Sequence, residues 1–70
     1  MSPVVFRHAG FIFRFYANEG TPREPVHVHV VKDGIDAKFW LWPEVTLAYN
    51  DGHSERTIRQ LSAIIADKRL

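Results

Sequence analysis

Between Phe11 and Trp42 three segments alternate between two chemistries residue by residue, and a period of two belongs to β-strands rather than helices. Phe11, Phe13 and Phe15 alternate with Ile12, Arg14 and Tyr16, and valine alternates with histidine from Val26 to Val31. The alternation predicts strands over Phe11–Ala17, Val26–Val31 and Ile35–Trp42, the last stopped by Pro43, which cannot donate to a ladder. Val4–His8 is a further short β-branched and aromatic run, joined to the next by the two-residue turn Ala9-Gly10. Lys32-Asp33-Gly34 reads as a second hairpin turn, and Asn18–Pro25, with Gly20, Pro22 and Pro25, as a loop. Glu44–Tyr49 is either a short strand, because Val45, Leu47 and Tyr49 alternate, or one helical turn; Asn50-Asp51-Gly52 then turns the chain.

The period changes only once. In Ser54–Leu70, Ile58, Leu61, Ile64 and Ile65 form one apolar stripe, with Arg56, Arg59, Gln60 and Asp67 away from it. Ser54 is a suitable N-cap, Glu55 suits the positive end of the helix dipole, and Lys68 and Arg69 suit the negative end. The predicted fold is α+β: an antiparallel sheet of four to five strands, built of β-hairpins, with one C-terminal amphipathic helix packed on one face. At 70 residues, residues 1–70 form a single domain near the lower limit of what one core can hold, and with no cysteine no disulfide can staple it. An aromatic share of 13% is one means of burying more surface from few residues.

Alternation sorts the sheet into two faces. One collects Phe11, Phe13, Phe15, Val26, Val28, Val30, Ile35, Ala37, Phe39 and Leu41, and is predicted to lie under Ile58, Leu61 and Ile65. The other collects Arg14, Tyr16, His27, His29, Lys38, Trp40 and Trp42. One helix cannot cover both, so the second face meets either solvent and function or another protein surface. Tryptophan, tyrosine and arginine are the residue types that dominate binding hot spots. The binding candidates are therefore Arg14, Tyr16, Lys38, Trp40 and Trp42.

His27 and His29 are two residues apart and point the same way on a strand, with Cα atoms roughly 6.5–7 Å apart. They are the catalytic candidates: beside Lys38 and Arg14, two imidazoles could serve as general acid and base in metal-independent RNA cleavage, with the 2′-hydroxyl as nucleophile. A structural role competes with this, with hydrogen bonds to Glu24 or Asp36 or stacking on Trp40. His29 and Asp33 faintly resemble a metal-binding pattern, but Asp33 belongs to a turn and the chain is too short for a cupin barrel, so neither a metal nor another cofactor is expected. His8 and His53 read as incidental. There is no glycine-rich phosphate loop, no His-Glu-x-x-His and no cysteine nucleophile; Ser54 serves as a cap, and a single helix cannot make a helix-turn-helix.

Net charge is +1, so bulk electrostatics select no partner. Basic residues gather at the two ends: Arg7 and Arg14 without an acid in the first 16 residues, and Arg56, Arg59, Lys68 and Arg69 in the helical segment. No apolar run reaches the roughly 18 residues of a membrane span, and no secretion-signal pattern opens the chain, so the cytoplasm is the expected compartment.

The successions Val5-Phe6-Arg7, Gly10-Phe11 through Phe15-Tyr16-Ala17-Asn18-Glu19, Pro25-Val26-His27-Val28-His29-Val30, Ala37-Lys38-Phe39-Trp40-Leu41 and Leu47-Ala48-Tyr49-Asn50 resemble the small bacterial and phage proteins grouped as domain of unknown function 4160. The resemblance implies a compact β-rich protein with one C-terminal helix. It also implies a setting: such genes often sit beside another small gene, of domain of unknown function 2442, in pairs proposed as toxin–antitoxin modules. The chain departs from the pattern in a longer loop over Gly20-Thr21-Pro22-Arg23-Glu24 and in a helix that stops at Leu70. A shorter helix makes self-association or a partner more necessary. The expected function is a small interaction module in a toxin–antitoxin-like pair, binding itself or a co-encoded protein through the histidine and tryptophan face. The alternative is an RNA-binding or RNA-cleaving toxin using His27 and His29 with Lys38 and Arg14.

Overall fold

The computed structural model describes residues 4–17 and 24–68. Five strands, β1 (Val4–His8), β2 (Phe11–Tyr16), β3 (His27–Lys32), β4 (Ile35–Trp40) and β5 (Thr46–Asn50), precede one helix, α1 (Glu55–Lys68). The strands form one antiparallel sheet in chain order, each beside the next, so the fold is α+β as the periodicity implies. Two turns set the registers. Ala9 and Gly10 both have positive φ, as do Asp33 and Gly34, which gives turns whose twist matches that of the strands they join. Gly10 is also approached closely: a Cβ there would stand 3.2 Å from Cε of Lys32, whose ammonium donates to the Ala9 carbonyl at 3.2 Å and lies 4.8 Å from the Phe11 ring.

The apolar face forms the core. Phe13, Val28, Val30, Ala37, Phe39 and Leu41 are buried with Leu61 and Ile65 of α1, while Phe6, Phe11, Phe15, Val26, Val45, Ile58 and Ile64 pack around them. At roughly 1.5–3 kcal/mol per large side chain fully buried, this layer is the main source of stability. Phe6 stacks on Phe13, 4.4 Å between centroids and 6° between planes, and so carries the aromatic layer onto β1.

The helix begins as its cap demands. Ser54 Oγ accepts the Thr57 N–H at 3.1 Å and the Ser54 carbonyl accepts the Ile58 N–H at 2.9 Å; such a cap contributes about 1 kcal/mol. Ahead of it, Asn50 Oδ1 accepts the N–H groups of Gly52 (3.1 Å) and His53 (2.8 Å), which turns the chain from β5 into α1.

Three expectations are corrected. Strand β4 ends at Trp40: Leu41 still donates to the Val26 carbonyl at 3.1 Å and stays buried, but the bend begins at Trp42, so alternation does not place Trp42 on the open face. Strands β2 and β3 cover Phe11–Tyr16 and His27–Lys32, each differing by one residue from the pattern's ends. Of the two alternatives over Glu44–Tyr49 the strand is the one found, as β5 from Thr46 to Asn50, which takes Asn50 out of the expected turn; Val45, Leu47 and Tyr49 do not share a face. The register passes from Lys38↔Tyr49 to Phe39↔Leu47, skipping Ala48, and this bulge turns Leu47 to the core side and Tyr49 to the other. Loop positions 18–23 and the helix-end residues Arg69 and Leu70 lie outside the described residues.

Candidate functional site on the open sheet face

Cross-strand registers assemble the site in two rows. One runs Arg14, His29, Lys38, Tyr49; the next runs Tyr16, His27, Trp40. All lie on the side away from the phenylalanine core, because β-strand neighbours share a face with their paired residues.

The two histidines are not equivalent. His27 is 4% exposed. Tyr16 stacks on it at 5.2 Å, and Trp40 (5.8 Å) and His29 (5.3 Å) meet it edge-on. Its Nδ1 donates to the Pro25 carbonyl at 2.9 Å, since a carbonyl can only accept, and its Nε2 lies 3.9 Å from Glu24 Oε2. His27 is thus a buried post on which the aromatic row packs. His29 is 28% exposed and its Nδ1 faces Asp36 Oδ2 and the Tyr49 hydroxyl, each at 3.3 Å. Its Nε2 has no partner among the described residues. A carboxylate on one imidazole nitrogen with the other left open is the arrangement that orients a histidine as a base.

Asp36 links the cluster. Tyr49 donates its hydroxyl to Asp36 Oδ2 at 2.5 Å, while Asp36 Oδ1 is closed off from solvent without a hydrogen-bond partner among the described residues. The bond to Asp36, then partial burial, pushes the Tyr49 phenol from 10.0 up to about 12. Tyr49 therefore stays protonated and acts as a donor, not as a base.

Lys38 is engaged as well. Its Nζ donates to Glu24 Oε1 at 2.8 Å and lies 4.3 Å from the Trp40 ring. The hydrogen bond from Lys38, followed by attraction to Lys38, His27 and His29, holds the Glu24 carboxyl below its usual 4.5. Arg14, beside His29, has no carboxylate partner among the described residues and is a cation open to an incoming group. Trp42, at the corner beyond β4, is 71% exposed. Among the described residues no group of three or more histidine, cysteine, aspartate or glutamate side chains is arranged to hold a metal ion.

The structure thus brings together Arg14, Tyr16, His27, His29, Lys38 and Trp40, and leaves Trp42 outside the strand. It adds Tyr49, Asp36 and Glu24. Asp36 and Glu24 were legible as histidine partners; Tyr49 was not, because the bulge that turns it exists only through pairing with β4. His8 and His53 lie elsewhere: His8 lines a shallow pocket with Phe11, Thr57, Gln60 and Ile64, and His53 meets Phe11 edge-on at 5.6 Å.

A family model described as domain of unknown function (DUF4160) matches residues 10–69, which includes every member of this cluster. The chain belongs to that family. The sheet and C-terminal helix that the resemblance implied are therefore present in a family member. Neither a curated protein nor a solved structure matches the chain. No helix among the described residues is long and apolar enough to cross a membrane.

Proposed function

We propose that this DUF4160 protein is a small binding module, one half of a toxin–antitoxin-like pair, that seats a co-encoded protein on its open sheet face. The observation that carries the reading is the one-sided coverage of the sheet: α1 covers the phenylalanine side, and the other side holds an ordered row of arginine, histidine and aromatic groups. His27, Lys38 and His29 are already fixed by Pro25, Glu24 and Asp36, so little of their side-chain freedom remains to be lost on binding. Arg14 and the half-exposed Tyr49 on the face, with the exposed Trp42 at the corner beyond β4 as a flanking contact, supply the residue types from which interface hot spots are made. The test is expression from the native gene cluster with a tag on this chain alone. The product of the adjacent gene should co-purify in fixed proportion and be lost from Trp42→Ala; a chain that purifies alone contradicts the reading.

A second reading, RNA cleavage, is favoured by one observation, the His29–Asp36 pair beside Arg14. His29 Nε2 would take the proton of a 2′-hydroxyl, the 2′-oxygen would attack phosphorus, and the 5′-oxygen would leave with a proton from water, with Arg14 against the phosphate. The geometry narrows the earlier four-residue proposal: His27 is buried and Lys38 is paired with Glu24. Purified protein should then cut a labelled RNA, and His29→Ala should not. Intact RNA in both reactions removes this reading.

A further inference from the structure

The two edges of the sheet differ. Strand β5 carries a bulge, and the side chain of its last residue, Asn50, is taken up by the turn into α1. Between Val4 and His8, strand β1 has no proline, lysine or bulge, which are the usual devices that keep an edge from pairing; its single charge is Arg7.

The hairpin turn dictates which main-chain groups of β1 are available. Across a two-residue turn the flanking pair, His8 and Phe11, exchanges both main-chain hydrogen bonds, and every second pair does the same. Val4, Phe6 and His8 therefore direct their N–H and C=O groups to β2. Val5 and Arg7 direct theirs outward, where β1 has no neighbouring strand among the described residues. The side chains of Val4 and Val5 are exposed on the same edge, at 70% and 42%.

We infer that this edge pairs with a second copy of the chain, β1 against β1 in antiparallel fashion about Phe6, joining the two sheets. In that register Val5 of each copy exchanges both main-chain bonds with Arg7 of the other, so every outward donor and acceptor on the strand is used. Phe6 then faces its own counterpart at a non-hydrogen-bonded position, where paired side chains approach most closely, and extends the Phe6–Phe13 stack across the junction. Charge disfavours the neighbouring register centred on Arg7. Sliding the strands until Arg7 faces Arg7 sets like charges opposite one another, whereas the Phe6-centred pairing lays each Arg7 stem along Val5. A junction of one short strand falls below the roughly 1,200 Å² of a stable interface, so the dimer is weak and forms as concentration rises. Val5 and Arg7 pair with Arg14 and Ile12, so this edge borders the open face, but neither proposal rests on the other.

Sedimentation velocity of the full chain from micromolar to millimolar concentration tests it, with amide exchange read alongside. The expected result is a monomer that becomes a dimer over that range, with the Val5 and Arg7 amides exchanging at least tenfold more slowly at the high end. Arg7→Pro removes an outward donor without touching the β2 ladder, and Val5→Lys sets a cation opposite Arg7 of the second copy; both should stay monomeric. If Arg7→Pro fails to fold, Val5→Lys decides. Trp42→Ala should dimerise as the parent does. A parent that stays monomeric throughout, or a folded Val5→Lys that dimerises unchanged, overturns the inference.

Discussion

Phe13→Ala is expected to abolish the cooperative thermal transition of this protein. Phe13 has no exposed surface, stacks on Phe6 at 4.4 Å, and lies opposite Val30 in the layer that receives Leu61 and Ile65. Removing a buried phenylalanine ring costs about 3–5 kcal/mol, the lost transfer energy plus the cavity left behind. A chain of 70 residues has only roughly 4–10 kcal/mol in total at about 0.05–0.15 kcal/mol per residue. With no disulfide to hold the remainder together, the variant should show a shallow, non-cooperative melt by circular dichroism. A sharp transition within a few degrees of the parent would mean that the core lies elsewhere.

Trp42→Ala is expected to act in the opposite way, on binding and not on folding. A side chain 71% exposed contributes little to the core, so the melting temperature should stay at the parent value. The complex with the co-encoded partner should weaken about 30-fold or more, the roughly 2 kcal/mol that marks a hot spot. Calorimetric titration of parent and variant separates the cases. Unchanged affinity would take Trp42 out of the interface, and a lowered melting temperature would make it part of the fold.

The parts of the molecule legible in the sequence are those where one local pattern suffices. Phe11, Phe13 and Phe15 cannot alternate with Arg14 and Tyr16 unless the strand has two unlike faces, and β2 has them. The Asp33-Gly34 turn and the Ser54 cap follow from the backbone needs of single residues. What was not legible depends on a partner strand. The bulge at Ala48 separates Leu47 from Tyr49, although the two look equivalent in the sequence. The difference between His27 and His29 is likewise tertiary. Register places Tyr16 and Trp40 on either side of His27 and closes it in, while two residues on it places Arg14 and Lys38 beside His29 and leaves that ring open. Trp42 looked like the last residue of a face because alternation runs on past the point where Pro43 and the bend end the strand.

The central proposition is that the helix covers the phenylalanine side of the sheet and leaves the histidine side to solvent. Broadening of NMR signals by a soluble paramagnetic gadolinium chelate, read on dilute isolated protein, tests it most directly. The side-chain signals of His29, Tyr49 and Trp42 should broaden, and those of Phe13, Val28, Phe39 and Ile65 should stay sharp. Sharp signals from His29 and Tyr49 together with broadened core phenylalanines would contradict the account.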